Sequence, residues 1–168
     1  MKLRNGVQAT GIAWLDSLLQ YAGMAEKPNN RGEIIDRWNR YAGVPVGSYY
    51  CASAVSWANH VGGAVRPNIR SASARRHFVR GYSFTMNDIM LGRYTPRAGD
   101  DLVWGRKGGG HIGKVISYLG NGTFRTVEAN TSNGKGGSQH NGGGVYQRTR
   151  IYQAWNKSFY MIGVTPVR

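Results

Sequence analysis

The chain predicts an α+β fold in a single domain, with helices first and an antiparallel sheet after them. Three observations carry this expectation. Apolar residues recur at helical spacing up to about residue 80. After Pro96 they gather into short runs of strand character, and those runs are parted by glycine-rich turns rather than by further helices. The helical part is expected over about residues 8–80 and the sheet over about 97–168, within one domain spanning 1–168. A chain of this length buries about 70% of its unfolded surface without a disulfide or metal staple.

"TGIAWLDSLLQYAG" predicts the first helix, with Thr10 as cap, Ile12, Leu15, Leu18 and Leu19 on one face, and Gly23 as the stop. "NNRGEIIDRWNRYAGVPVG" predicts the second. Asn30 followed by Glu33 has the spacing of a capping box, Ile34, Ile35, Trp38 and Tyr41 form the stripe, and Gly43 and Pro45 end it. A third helix is expected to begin near Cys51 and run to about Val61, its small residues allowing close approach to a sheet. A shorter fourth is expected from Ser71 to Val79. The strands expected after Pro96 are "DLVWG" (101–105), "HIGKVISYL" (111–119), "TFRTVEAN" (123–130), "GVYQRTR" (144–150) and "FYMIGVTPV" (159–167). "GNG" between the second and third of these is a hairpin signal. "SNGKGGSQHNGGG" (132–144) is a long polar glycine loop of the kind often used in function.

Charge is the strongest bulk property. Lys and Arg number 22 against 8 Asp and Glu, a net +14. Such a balance favours a polyanionic partner: nucleic acid, anionic lipid or an anionic cell wall. The cations are dispersed, with one concentration in residues 66–82, and no nucleic-acid motif accompanies them. A solvated basic face that steers encounter is the expectation. No stretch approaches the ~20 apolar residues of a membrane span. The first residues carry no unbroken apolar core before Asp16, so the chain is expected to be made in the cytoplasm without a signal peptide, and to act elsewhere only after release or export.

The single cysteine excludes an intramolecular disulfide and leaves too few thiolates for a cysteine-rich zinc site. Its position suggests chemistry. A cysteine in the first turn of a helix meets free N–H groups and the positive end of the dipole, which favour thiolate. A base is then needed, and a third group to fix the base's tautomer. His111 opens one expected strand, and Glu128 and Asn130 close the next. With a two- or four-residue hairpin loop, paired numbers sum to an odd value. His111, Glu128 and Asn130 can therefore share one sheet face, and either partner can orient the imidazole. His60, His77 and His140 lack ligand partners at metal spacing and are expected at the surface or at helix ends, substrate contact by His140 being the lesser alternative. Asp100 and Asp101 are expected to serve a turn or strand start.

"YYCASAVSWA", "PRAGDDLVW", "GHIGKVIS" and "TVEANTS" together resemble a CHAP domain, the cysteine, histidine-dependent amidohydrolase/peptidase branch of the papain-like fold. The likeness covers roughly residues 30 to 165, and "EANTS…GSQHNGGGVYQRTR" is similar to cell-wall lytic versions from phages and bacteria. It implies a papain-like, CHAP/NlpC-type α+β fold and cleavage of bacterial peptidoglycan. It further implies Cys51 as nucleophile, His111 as general base, Glu128 as the orienting acid and Asn130 as a further site residue. Where the family commonly has Gln or Trp before the cysteine, this chain has Tyr50, so the oxyanion would be met by the Tyr50 hydroxyl or by the backbone N–H of Cys51 alone. Tyr50 and Trp104 are the substrate-binding candidates.

The expected function is thus a cysteine hydrolase of a peptidoglycan amide or peptide bond, as a phage endolysin or an antibacterial or autolytic enzyme, needing no cofactor and no metal. The expected partner is peptidoglycan, with an immunity or inhibitor protein admitted, no nucleic acid, no membrane insertion and a monomeric state. Two rivals stand beside it: a catalytically silent basic module that holds wall polymer or nucleic acid, and a papain-like protease acting on proteins.

Overall fold

In a computed structural model, residues 1–134 and 142–168 are described. The helices come first, as the periodicity predicts: α1 (Ala13–Leu19), α2 (Glu33–Ala42) and α3 (Cys51–Val61). Their starts differ from expectation. Thr10 does not cap α1, which begins after Ile12; its hydroxyl instead donates to Asp16 Oδ1 at 2.8 Å. Nor do Asn30 and Glu33 form a capping box, because Gly32 is the cap residue of α2 and the Asn30 amide is turned away to donate to the Gly47 carbonyl. A true capping box, Thr85 with Asp88, opens a short helix that sequence reasoning missed, α4 (Met86–Met90). The helix expected over 71–79 shrinks to a 3-10 turn at Ala74–His77. Ser56 of α3 bonds both the N–H and the carbonyl of Ser71, so this segment is tied to its neighbour rather than to its own next turn.

The strands are β1 (Phe84–Thr85), β2 (Asp101–Arg106), β3 (Gly109–Gly120), β4 (Thr123–Thr131), β5 (Gly144–Ile151) and β6 (Tyr160–Thr165), in sheet order β1-β6-β2-β3-β4-β5 with every pairing antiparallel. Only β1 went unforeseen. The architecture is the expected α+β one, with the helices on the sheet. Of the loop 132–144, residues 135–141, including His140, lie outside the described residues.

Alternation along the strands builds two cores. Val103, Ile112, Val127 and Val145 pack with Leu15, Leu18, Ile35, Trp38 and Val55 of the helices. Leu102, Trp104, Val115, Phe124 and Val164 pack instead with Met86 and Ile89. Helix α3 comes unusually near α1: a Cβ placed on Gly62 would lie 2.3 Å from the backbone of Trp14, a separation only glycine permits. This close packing, with Ala52, Ala54 and Ala58 buried, sets the tip of α3 against β3 and β4.

Candidate active site

The tip of α3 is Cys51, only 6% exposed. Pairing of β3 with β4 runs no further toward this end than Lys114 with Val127. The backbone N–H groups of Ile112, on β3, and of Ala52 act on its sulfur in favour of thiolate. Burial taken alone pushes the thiol up, but the hydrogen bond and charge of His111 and these two N–H groups outweigh it, so the thiol sits below its ordinary value. Thiolate is therefore favoured by contacts as well as by the helix end.

His111 stands at the start of β3, 4% exposed, and its Nε2 is 2.9 Å from Glu128 Oε2. With Nε2 held there, Nδ1 is the ring atom left for the thiol. Burial opposes a charged imidazole, yet the hydrogen bonds and charges of Cys51 and Glu128 outweigh it and raise His111 to about 9. Glu128 is fully buried on β4. Burial would raise it, but Arg150 and His111 hold its carboxyl far below the usual carboxylate range. Arg150 of β5 grips it with both arms of its fork, Nε donating to Oε1 at 2.8 Å and Nη2 to Oε2 at 2.5 Å, and Thr126 Oγ1 donates to Oε1 at 2.6 Å.

Register explains why these groups meet. Near the turn, Gly120 pairs with Thr123, a sum of 243; after one shift Tyr118 pairs with Phe124, a sum of 242; after a second, Lys114 pairs with Val127, a sum of 241. One bulge would have placed His111 and Glu128 on opposite faces. Two restore the parity. Glu128 then reaches His111 diagonally, its side chain lying over Gly113, where a Cβ would come within 2.5 Å of Glu128 Cγ. Gly113 and Arg150 are thus site-building residues that sequence reasoning did not single out. An isolated glycine in a strand and an arginine in an alternating strand were the available signals.

A groove of about 210 Å³ includes Cys51 and His111 in its lining, together with Ala72, Ser73 and Ala74, Gly108, Gly109 and Gly110, and Tyr49, Arg106 and Asn130. Asn130 thus joins Cys51 and His111, but in left-handed backbone (φ 56°) and with a buried Oδ1 that has no hydrogen-bond partner among the described residues; the hydrogen bond to the ring is Glu128's. Neither substrate-binding candidate reaches this groove. Tyr50 is fully buried beside Trp38, and its hydroxyl donates to Glu26 Oε2 at 2.7 Å, leaving it no route to an oxyanion. Its half-exposed neighbour Tyr49 is the tyrosine at the groove. Trp104 is buried on the sheet, 5.4 Å from the His111 ring and beneath the Arg150 guanidinium at 5.5 Å. It borders a separate hollow of about 440 Å³ with Phe159 and Met161 that includes neither Cys51 nor His111.

The model of the CHAP domain matches residues 39–130, more than half of the chain. The chain belongs to the CHAP family. The enzyme class follows: a cysteine- and histidine-dependent amidohydrolase or peptidase on a papain-like α+β fold. No curated protein and no solved structure matched the chain. The matched segment of this CHAP domain carries Cys51, His111, Glu128 and Asn130, while Arg150 lies beyond it.

The remaining polar residues sort by burial. His60 is exposed in the last turn of α3, as expected. His77, expected at the surface or a helix end, does end the 3-10 turn but is fully buried, with Nε2 3.3 Å from Ser56 Oγ and Nδ1 3.8 Å from Asp101 Oδ2. The 3-10 turn carries its ring inward under the sheet's first long strand. Asp101 starts β2, as expected, and is paired with buried Lys114 at 2.7 Å. Asp100 accepts from Tyr94 and from two backbone N–H groups, Arg97 and Val167. Among the described residues, no three His, Cys, Asp or Glu side chains cluster to hold a metal ion.

Proposed function

We propose that this CHAP domain cleaves an amide or peptide bond of bacterial peptidoglycan through an acyl-enzyme on Cys51. The observation that supports it most is that Cys51 and His111 line one groove, with His111 held by Glu128 at 2.9 Å, in a strongly cationic protein. The Cys51 thiolate attacks the scissile carbonyl carbon, and the backbone N–H of Cys51, in a first turn whose N–H groups lack helical acceptors, meets the oxyanion. The C–N bond breaks as His111 passes its proton to the departing amine. Water then attacks the thioester, giving its proton to His111, and the carboxylic acid leaves as the thiolate is restored. Glu128 holds the ring and stabilises its charged form.

The groove walls of alanine, serine and glycine suit an extended peptide, which favours a peptide bond over the sugar–peptide amide. The positive charge suits encounter with an anionic wall. A phage endolysin and an antibacterial or autolytic hydrolase are both consistent with this reading, and either acts on the wall after release or export.

Digestion of purified sacculi, with new amines and new reducing sugars assayed separately, tests the reading. New amines without reducing ends are expected, and mass spectrometry of the fragments identifies the bond. Reducing ends without amines would overturn the mechanism. Cleavage of casein with intact sacculi would move the enzyme to the protein-degrading class.

A further inference from the structure

The chain of contacts does not stop at Glu128. Arg150 takes both carboxylate oxygens in a forked grip, which is the strong and directional form of this pair. The guanidinium lies over the Trp104 ring, and Trp104 in turn lies against His111, so the cation is wedged between the carboxylate and the aromatic face that backs the imidazole. Its side chain is 10% exposed and the Glu128 side chain 0%, so the carboxylate is met by the guanidinium rather than by bulk water. Reading along the chain in the active state gives thiolate, imidazolium, carboxylate and guanidinium, two charges of each sign in alternation. Without the guanidinium the same enclosed site carries one unbalanced negative charge.

We propose that Arg150 is a positioning residue, the fourth member of the Cys51–His111–Glu128 set, which aims the Glu128 carboxylate at His111 and supplies the counter-charge that lets thiolate and imidazolium coexist. The role presupposes the catalytic set proposed above. Other charged or titratable groups nearby are few: Arg148 and Tyr146 on β5, Arg106 at the end of β2, and Arg75, whose side chain packs beside Gly110. Among the described residues the forked grip on Glu128 is Arg150's, so Arg150 is the cation whose loss falls directly on the carboxylate. Thr126 holds Oε1 from β4 but brings no charge. A further consequence is directional. Removing a cation makes every proton in the site harder to lose, so thiolate formation and imidazolium deprotonation both move to higher pH.

Because Cys51 is the only cysteine, its reaction with iodoacetamide across pH reports thiolate directly and needs no knowledge of the natural substrate. Wild type, Arg150→Met and Arg150→Lys are compared, with Cys51→Ala as the blank and a melting curve for each. The alkylation midpoint of Arg150→Met is expected to rise by about one pH unit, a tenfold loss of thiolate at a fixed pH below it. Arg150→Lys keeps the charge without the fork, so its midpoint is expected to stay near wild type while turnover on sacculi falls at saturating substrate. A lowered melting temperature with an unmoved midpoint in Arg150→Met means a structural role only and overturns the proposal. Should that variant not fold, the lysine variant decides: full turnover overturns the aiming role, and a displaced midpoint overturns the charge role. Alkylation that follows the expected pattern on an enzyme inert toward sacculi would instead leave Arg150 in place and overturn the peptidoglycan reading.

Discussion

Two buried polar clusters in this protein have nearly the same composition. One joins Cys51, His111, Glu128 and Arg150; the other joins Ser56, His77, Asp101 and Lys114. Each lines up a chalcogen nucleophile, a histidine, a carboxylate and a cation. Their geometry separates them. The first is held by contacts of 2.9 and 2.5 Å and opens on a groove. In the second, histidine sits 3.3 Å from the hydroxyl and 3.8 Å from the carboxylate, and all four side chains are shut away from solvent. The Ser56 hydroxyl is also already committed, donating to the Ser71 carbonyl and accepting from its N–H. Residue types therefore do not make a site. A free nucleophile, close contacts and access to a ligand do, and the closed cluster acts as a bracket that fixes the wall of the groove at residues 72–74.

The largest expected contrast comes from the two nucleophile positions. Cys51→Ala is expected to lower turnover by about a thousandfold or more while the fold persists, because a methyl group cannot attack a carbonyl. Cys51→Ser is expected to be nearly as inactive, since a helix end does not ionise a hydroxyl. Cell-wall turnover and a melting curve measured on both variants check this, and an alanine variant with a tenth of wild-type rate would break the comparison at its root.

Lys114→Met should behave in the opposite sense. Removing one partner of a fully buried pair leaves Asp101 uncompensated, an expected loss of about 3–5 kcal/mol in stability. The folded fraction should keep its rate per active thiol. Denaturant unfolding with thiol titration of the folded fraction separates the two effects.

Gly113→Ala tests the active cluster without touching its charges. The added methyl would collide with Glu128 Cγ, so a fall of about ten- to a hundredfold in kcat is expected with a smaller change in KM. Its counterpart in the closed cluster, Ser56→Ala, is expected to cost about 1–3 kcal/mol of stability by stranding the Ser71 backbone, with turnover little changed.

Acidity sharpens the contrast further. His111 keeps its proton up to about 9, and the Cys51 thiol loses its own below the ordinary range, so the ion pair exists between those limits. Turnover is expected to rise at a pH below that of a free thiol and to fall through about pH 9 as the imidazolium is lost. A rate–pH profile on a soluble fragment reads both limbs. Smallest is the effect of salt: with screening shortened to ~8 Å at 0.15 M, lysis of whole cells is expected to weaken a few-fold while turnover on a small soluble peptide holds.

The order of elements, the span of α3 and the five long strands were legible in the sequence, because each rests on local periodicity and local turn chemistry. That Cys51, His111 and Glu128 come together was legible too, through their residue types and spacing. The terms that depend on distant partners were not. Asn30 looked like a helix cap until Gly47, seventeen residues on, claimed its amide. Tyr50 looked like a substrate contact until Glu26 claimed its hydroxyl. His77 looked like a surface or helix-end residue, and its burial beside Ser56 came only with the side-chain staple from α3.

By itself the sequence determined that one thiol would sit at a helix start and that a histidine and a carboxylate would end neighbouring strands, since backbone preferences and alternation act within a few residues. Tertiary structure alone decided that two bulges of the same sense return His111 and Glu128 to one face, that Asn130 is turned aside in left-handed backbone at a register shift, and that Arg150 closes the set from a strand twenty-two residues away. Both outcomes hang on which chains lie side by side and by how many residues they slide. That is fixed by the packing of the whole sheet against its helices, not by any short stretch of chain.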